Sequence, residues 1–181
     1  MNILLSLAGI YLPPSFAKRR LVHLVGVTAE AFQSPAPDFR GLSYRESLTA
    51  FAVFSRDRAE SCLRLPGVSD AVRGRLFDAG LALGQDLRRE FRVATAQDVT
   101  SVLIISYTAL GIKFECTCYG EVVIPRCLYS AYYSGPMCRI MEALDHGLVC
   151  GLSRGGRLTF TGRITEGCPA CRAVLEPPPV K

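Results

Sequence analysis

Residues 112–125 read IKFECTCYGEVVIP, and within them the pattern of the chain changes. Ile112, Phe114 and Cys116 alternate with Lys113, Glu115 and Thr117, the period of a strand buried on one side. Gly120 then turns the chain and residues 121–125 return, which predicts a β-hairpin. Upstream the apolar period is helical. Ser43-Tyr44-Arg45-Glu46 has the form of a capping box, in which the Ser43 hydroxyl accepts from the Glu46 N–H and Glu46 reaches back. Leu48, Phe51, Ala52, Ala59 and Leu63 follow at helical spacing, and Pro66-Gly67 ends the run. Ser69 is expected to cap the next helix, whose stripe is Val72, Leu76, Leu83, Leu87 and Phe91. Gly80 and Gly84 stand one turn apart, so another element, most simply a packed helix, is expected close by. Thr95 caps a third helix through Leu110, with Gly111 as its stop.

Downstream of the hairpin, Ser134 with Pro136 just after it opens a helix through about Leu152. Arg154-Gly155-Gly156 makes a turn. Leu158, Phe160, Gly162 and Ile164 then alternate with Thr159, Thr161, Arg163 and Thr165, which predicts a strand over 158–165. Gly167 allows a tight turn, and residues 171–175 form a last strand. The order of helices, hairpin, helix, hairpin predicts an α+β fold: N-terminal helices packed on a small antiparallel sheet, with one cysteine-bearing helix between two hairpins. The 181 residues suffice for a single domain with a real core. Within it, residues 1–40 are expected to hold an N-terminal helix and linker, 41–111 the helical part, and 112–176 the cysteine-rich part.

Hydrophobic residues make up 49% and charged residues 20%, a globular composition. The net charge is +5; 18 of the 21 basic residues are arginines, scattered along the chain, and basic residues cluster only at Lys18-Arg19-Arg20. No stripe of Lys and Arg with interleaved aromatics appears, so no nucleic-acid partner is expected. Residues 2–12 are mostly apolar, yet the basic cluster follows them, the reverse of a signal peptide. They are too few to span a bilayer, which needs about 20 apolar residues. They read as a helix docked on the domain or touching a membrane surface through residues 1–20, and a cytoplasmic location is expected.

Eight cysteines amount to about 4% of the chain, below the roughly 8–10% of a disulfide scaffold. Cys62 stands alone, and the other seven fall between Cys116 and Cys171. In a reducing compartment they are thiols, available for chemistry or metal binding. Cys138 and Asp145 are seven apart on one helix and share a face, while His146 points about 100° away from Asp145. If that helix is merely half-buried, Ile140, Leu144 and Leu148 face the core while Glu142 and His146 meet water. Cys116 and Cys118 share a strand face and, with Cys168 and Cys171, offer a four-cysteine zinc or iron site. Cys168, Cys171, Cys138 and His146 are a second candidate ligand set. Cys168-Pro169-Ala170-Cys171 sits between strands, unlike a redox CxxC, which opens a helix. A nucleophilic cysteine would need a base, for which His146 and Glu166 are the candidates.

Arg126-Cys127-Leu128-Tyr129, then Cys138, Asp145, Glu166-Gly167 and Cys171 resembles the L-2-amino-thiazoline-4-carboxylic acid hydrolase family over residues 76–175. The chain departs from that pattern at Cys168, where the family tends to have an acidic residue, and at Arg172-Ala173-Val174, where it tends to be aromatic. The Gly80 to Gly84 helix, Cys138, and Gly147 to Leu152 are also similar to 4-vinyl-reductase-type ligand-binding domains. Iron-dependent plastid carotenoid isomerases share the start, with a basic residue, a cysteine and a tyrosine nearby.

The first resemblance implies a hydrolase acting on a small cyclic amidine of the thiazoline type. Cys127, Cys138 and Cys171 would line its pocket, Asp145 and Glu166 would move protons, and Arg126 or Arg163, with Tyr129, would hold the substrate. The second implies a non-enzymatic sensor holding a metal or an apolar ligand near Tyr129, Tyr132 and Tyr133. A third reading is an interaction protein, a homodimer for instance, whose cysteines are buried small hydrophobes.

Overall fold

The computed structural model describes residues 13–65, 67–116 and 119–179. Five α-helices lie in them: α1 (Pro14–Ala31), α2 (Tyr44–Leu63), α3 (Val68–Glu90), α4 (Ala96–Thr108) and α5 (Gly135–Ser153). Four strands, β1 (Ile112–Glu115), β2 (Gly120–Cys127), β3 (Arg157–Gly162) and β4 (Cys171–Glu176), form one antiparallel sheet in the order β1-β2-β4-β3. The fold is α+β, with the helices largely N-terminal and α5 between two hairpins, as the period change at Ile112 predicts.

Local chemistry sets most of the boundaries. The Ser43–Glu46 capping box starts α2: the Glu46 N–H donates to the Ser43 hydroxyl, and the Ser43 N–H donates to the Glu46 carboxylate at 2.7 Å. Thr95 starts α4 with Asp98 as its reciprocal partner. Three boundaries differ from the sequence reading. Gly67, in the left-handed conformation (φ 76°), caps α3, so Ser69 falls inside the first turn. The expected strand over 158–165 stops at Gly162, where the pairing with β4 bulges, and residues 164–166 form a turn of 3₁₀ helix. The sequence reading puts the N-terminal helix expected within residues 1–40 on the apolar run 2–12, whereas α1 covers Pro14–Ala31. The apolar run 2–12 lies outside the described residues.

One apolar cluster joins the inner sheet face (Phe114, Val122, Ile124, Leu158, Ala173, Leu175) to α4 and α5. A second joins α1, α2 and α3 to the first half of α5. Helix α5 therefore serves both clusters, and its seating against α3 fixes how they meet. Gly80 and Gly84 of α3 face α5, and Gly147 and Gly151 of α5 face α3. A Cβ on Gly80 would lie 2.2 Å from the Leu144 carbonyl oxygen, and one on Gly147 2.0 Å from that of Phe77. Gly84 meets Leu148 and Gly151 meets Leu81 in the same way. Because the partners advance together along both chains, the two helices run in the same direction with backbone against backbone. The close approach expected at Gly80 and Gly84 is thus a helix–helix contact. Among the described residues no helix is long and apolar enough to cross a membrane.

Candidate functional site

A cavity of about 110 Å³ lies where the two clusters meet. Leu24 of α1 and Phe51 of α2 close one side, and Ile112, Ile124 and Phe160 of the sheet close another. Its polar groups, Arg163 after β3 among them, come from several elements. Tyr107 stands near the end of α4; Cys127 ends β2 and Cys171 begins β4; Tyr129 and Tyr133 follow β2 through a 3₁₀ turn; and Cys138, Glu142 and Asp145 project from α5. The spacing of 138, 142 and 145 puts those three on one helix face. The shared face expected for Cys138 and Asp145 is thereby the cavity face.

Asp145 is the most unusual group in it. The part of its surface that stays open faces the cavity, and protein encloses the rest. Its Oδ1 accepts from the Tyr107 hydroxyl at 2.8 Å. Burial pushes its pKa up to about 7; the Tyr107 hydrogen bond opposes that shift, and the Glu142 charge adds to it. Tyr107 is in turn pushed well above the usual phenol range by burial and by the neighbouring carboxylate. Its ring stacks on Phe114 with centroids 4.5 Å apart, which fixes where the hydroxyl points.

The aromatic wall is ordered as well. Phe51 packs edge-on to Tyr129 (5.9 Å), and Tyr129 tilts against Tyr133 (5.5 Å). The Tyr133 hydroxyl is hydrogen-bonded to Ser55. The Tyr129 hydroxyl is buried, on a residue only 6% exposed, and has no hydrogen-bond partner. A buried hydroxyl left unsatisfied costs free energy.

The three cavity cysteines are free, as are Cys62, Cys150 and Cys168. Burial pushes Cys127 up to about 12 and raises Cys138 and Cys171. They are neutral thiols at pH 7, which favours packing over nucleophilic attack.

At the mouth sits an ion cluster. The Arg163 guanidinium bonds to Glu142, lies 3.4 Å from Glu166, and stands over the Phe160 ring. Arg139 pairs with Glu166 on the outside. The side chains of Arg163 and Glu142 are only 13% and 12% exposed, whereas Arg139 is 51% exposed. Glu142 is therefore largely enclosed, not turned to water as the half-buried-helix reading had it. Its place on the cavity face and the arrival of Arg163 after β3 enclose it.

Of the residues expected at a site, Cys127, Tyr129, Cys138, Asp145, Arg163 and Cys171 share this cavity. Arg126 does not: it is exposed opposite Lys113, because successive strand residues face opposite sides and Cys127 takes the inner one. Glu166 stands outside the cavity wall, leaning over Gly135 at the start of α5 and engaged with two arginines. His146 is also off the wall; its Nε2 is buried without a partner, and burial lowers its pKa. It therefore supplies no base to the cavity thiols. Cys168 sits beside Gly162 rather than on the wall. Among the described residues no three His, Cys, Asp or Glu side chains gather closely enough to hold a metal ion, so the set Cys168, Cys171, Cys138 and His146 is not assembled. Cys118 of the CxC pair lies outside the described residues.

Sequence reasoning missed Leu24, Phe51, Tyr107 and Phe160 on the wall, and the role of Glu142. Tyr107 stands between Ser106 and Thr108 near the end of α4, with no pattern that singles it out. No protein-family model matches this chain, and no curated protein or solved structure matches it significantly.

Proposed function

We propose that this chain is a binding domain for a small, mostly apolar molecule, which it holds in the cavity between α5, the tyrosine turn and the sheet. The observation that carries the reading is the pairing of an apolar wall with the Asp145 carboxyl, which has one hydrogen bond, from Tyr107, and no cation among the described residues. Sites for small ligands commonly have this form: apolar lining for affinity and a few placed polar atoms for orientation. The likeness to 4-vinyl-reductase-type ligand-binding domains points the same way. The thiazoline-hydrolase reading uses the same cavity, and Asp145 titrating near neutrality suits a general acid or base. It also asks for an activated thiol, which burial opposes at all three cavity cysteines.

Toluene tests the binding reading. At about ten times its Kd it should stabilise the chain by about 1.4 kcal/mol, roughly 3–6 °C in Tm for a chain of this size. Cys138→Met, which fills the cavity, should remove that response. An equal response in both proteins, or none in either, would contradict the proposal. If the chain hydrolyses a thiazoline carboxylate, and folded Cys138→Ser does not, the hydrolase reading replaces it.

A further inference from the structure

The charges on the cavity wall do not balance. Asp145 and Glu142 carry two carboxylates against one guanidinium, Arg163, and that guanidinium is held by Glu142 and Glu166. No ion pair among the described residues includes Asp145. Its one hydrogen bond comes from Tyr107. A buried carboxylate without a cation is costly: it either takes up a proton or is matched by a positive charge brought to it. Around it stand the rings of Phe51, Tyr107, Tyr129, Tyr133 and Phe160, and aromatic walls attract ammonium groups. An anion would meet Asp145 and Glu142. A neutral alcohol or ketone would leave the Asp145 carboxylate without a cation.

The geometry points to a small amphiphilic amine as the ligand, with its ammonium on Asp145 and its apolar part against the aromatic and aliphatic wall. This rests on the binding reading above and narrows it to one ligand class. The volume of about 110 Å³ is smaller than the apolar cavity of about 150 Å³ that takes benzene, so the main chamber by itself suits roughly four to five heavy atoms, the size of butylamine. A void of about 30 Å³ shares Leu24, Tyr107, Leu110, Leu144 and Asp145 with it, leaving room behind the carboxylate.

The groups facing Asp145 define the pH dependence. Tyr107 from α4, Tyr129 and Tyr133 from the turn, Cys127 from β2, Cys138 from α5 and Cys171 from β4 are all raised by burial and stay neutral between pH 6 and 8. Glu142 and Arg163 are engaged with each other. Asp145 is the group that changes charge in this window. Amine binding needs it ionised, so affinity falls as pH drops, by about tenfold from pH 8 to pH 6.

Calorimetric titration of the full chain with benzylamine, benzyl alcohol and benzoate tests this, with butylamine and butan-1-ol as a pair for a chamber too narrow for a ring. At pH 8 the amine of a pair should bind at least tenfold tighter than its alcohol, and benzoate should not bind. Benzylamine should weaken about tenfold at pH 6. Asp145→Asn, which keeps an acceptor for Tyr107, should erase the preference for the amine and retain the alcohol. If that variant is unfolded by circular dichroism, the pH dependence of the native chain decides. An alcohol binding as tightly as its amine overturns the amine inference and leaves the binding reading standing. Absence of binding by both pairs overturns both.

Discussion

Replacing Gly147 by valine is expected to destabilise the chain by more than about 3 kcal/mol, a fall in Tm of at least roughly 6 °C for a chain of this size. A Cβ there would lie 2.0 Å from the Phe77 carbonyl oxygen and 2.7 Å from the Leu81 nitrogen. Both atoms are backbone, so no rotamer change relieves the clash. The helices α3 and α5 must move apart, and both apolar clusters depend on their contact. Gly74→Ala is the control on α3. Its Cβ meets nothing within 4 Å, and alanine in a helix should stabilise by roughly 0.5–1 kcal/mol. Thermal melts of the two variants check this. A Gly147→Val protein that melts with the native chain would mean that the helices do not pack through their glycines.

Arg163→Met should cost about 2–4 kcal/mol in unfolding free energy, because it strips the buried Glu142 carboxylate of its cation. Methionine keeps much of the apolar stem that lies over Phe160. The double variant Arg163→Met, Glu142→Leu should recover most of the loss, since removing both partners leaves no unpaired charge. Denaturant titration of the two single variants and the double one measures the coupling. Additive losses would show that Arg163 and Glu142 act independently and that the mouth of the cavity is not built on their pairing.

The fold was largely legible because its signals are local. The capping boxes at Ser43 and Thr95, the change of period at Ile112 and the turn at Gly167 each act within a few residues. The glycine pairs were legible one helix at a time. That Gly80 and Gly84 face Gly147 and Gly151 depends on a contact more than 60 residues away, which periodicity does not encode. The site divides in the same way. Cys138 and Asp145 share a face by helical arithmetic, and Cys127, Tyr129 and Cys171 follow the residues that carry the resemblance. Leu24, Phe51 and Tyr107 reach the cavity from three other helices, and nothing in their own segments marks them as its neighbours. Arg126 and His146 were misplaced by one position each: next to a cavity residue on a strand or a helix is a different face.

The amine reading of the cavity depends on Asp145 being an enclosed carboxyl without a cation. Its folded pKa of about 7 lies above the ordinary 3.8, so the folded chain holds a proton that the unfolded chain releases. The stability this contributes is present below about pH 4 and is lost as pH rises through 7, with a slope approaching about 1.4 kcal/mol per pH unit between them. The most direct measurement is the titration of the Asp145 side-chain carbon by NMR in a chain labelled at aspartate, assigned by its absence in Asp145→Asn. The account predicts a midpoint near 7, moving down when benzylamine is added. A midpoint near 4 that the amine leaves unchanged would contradict it.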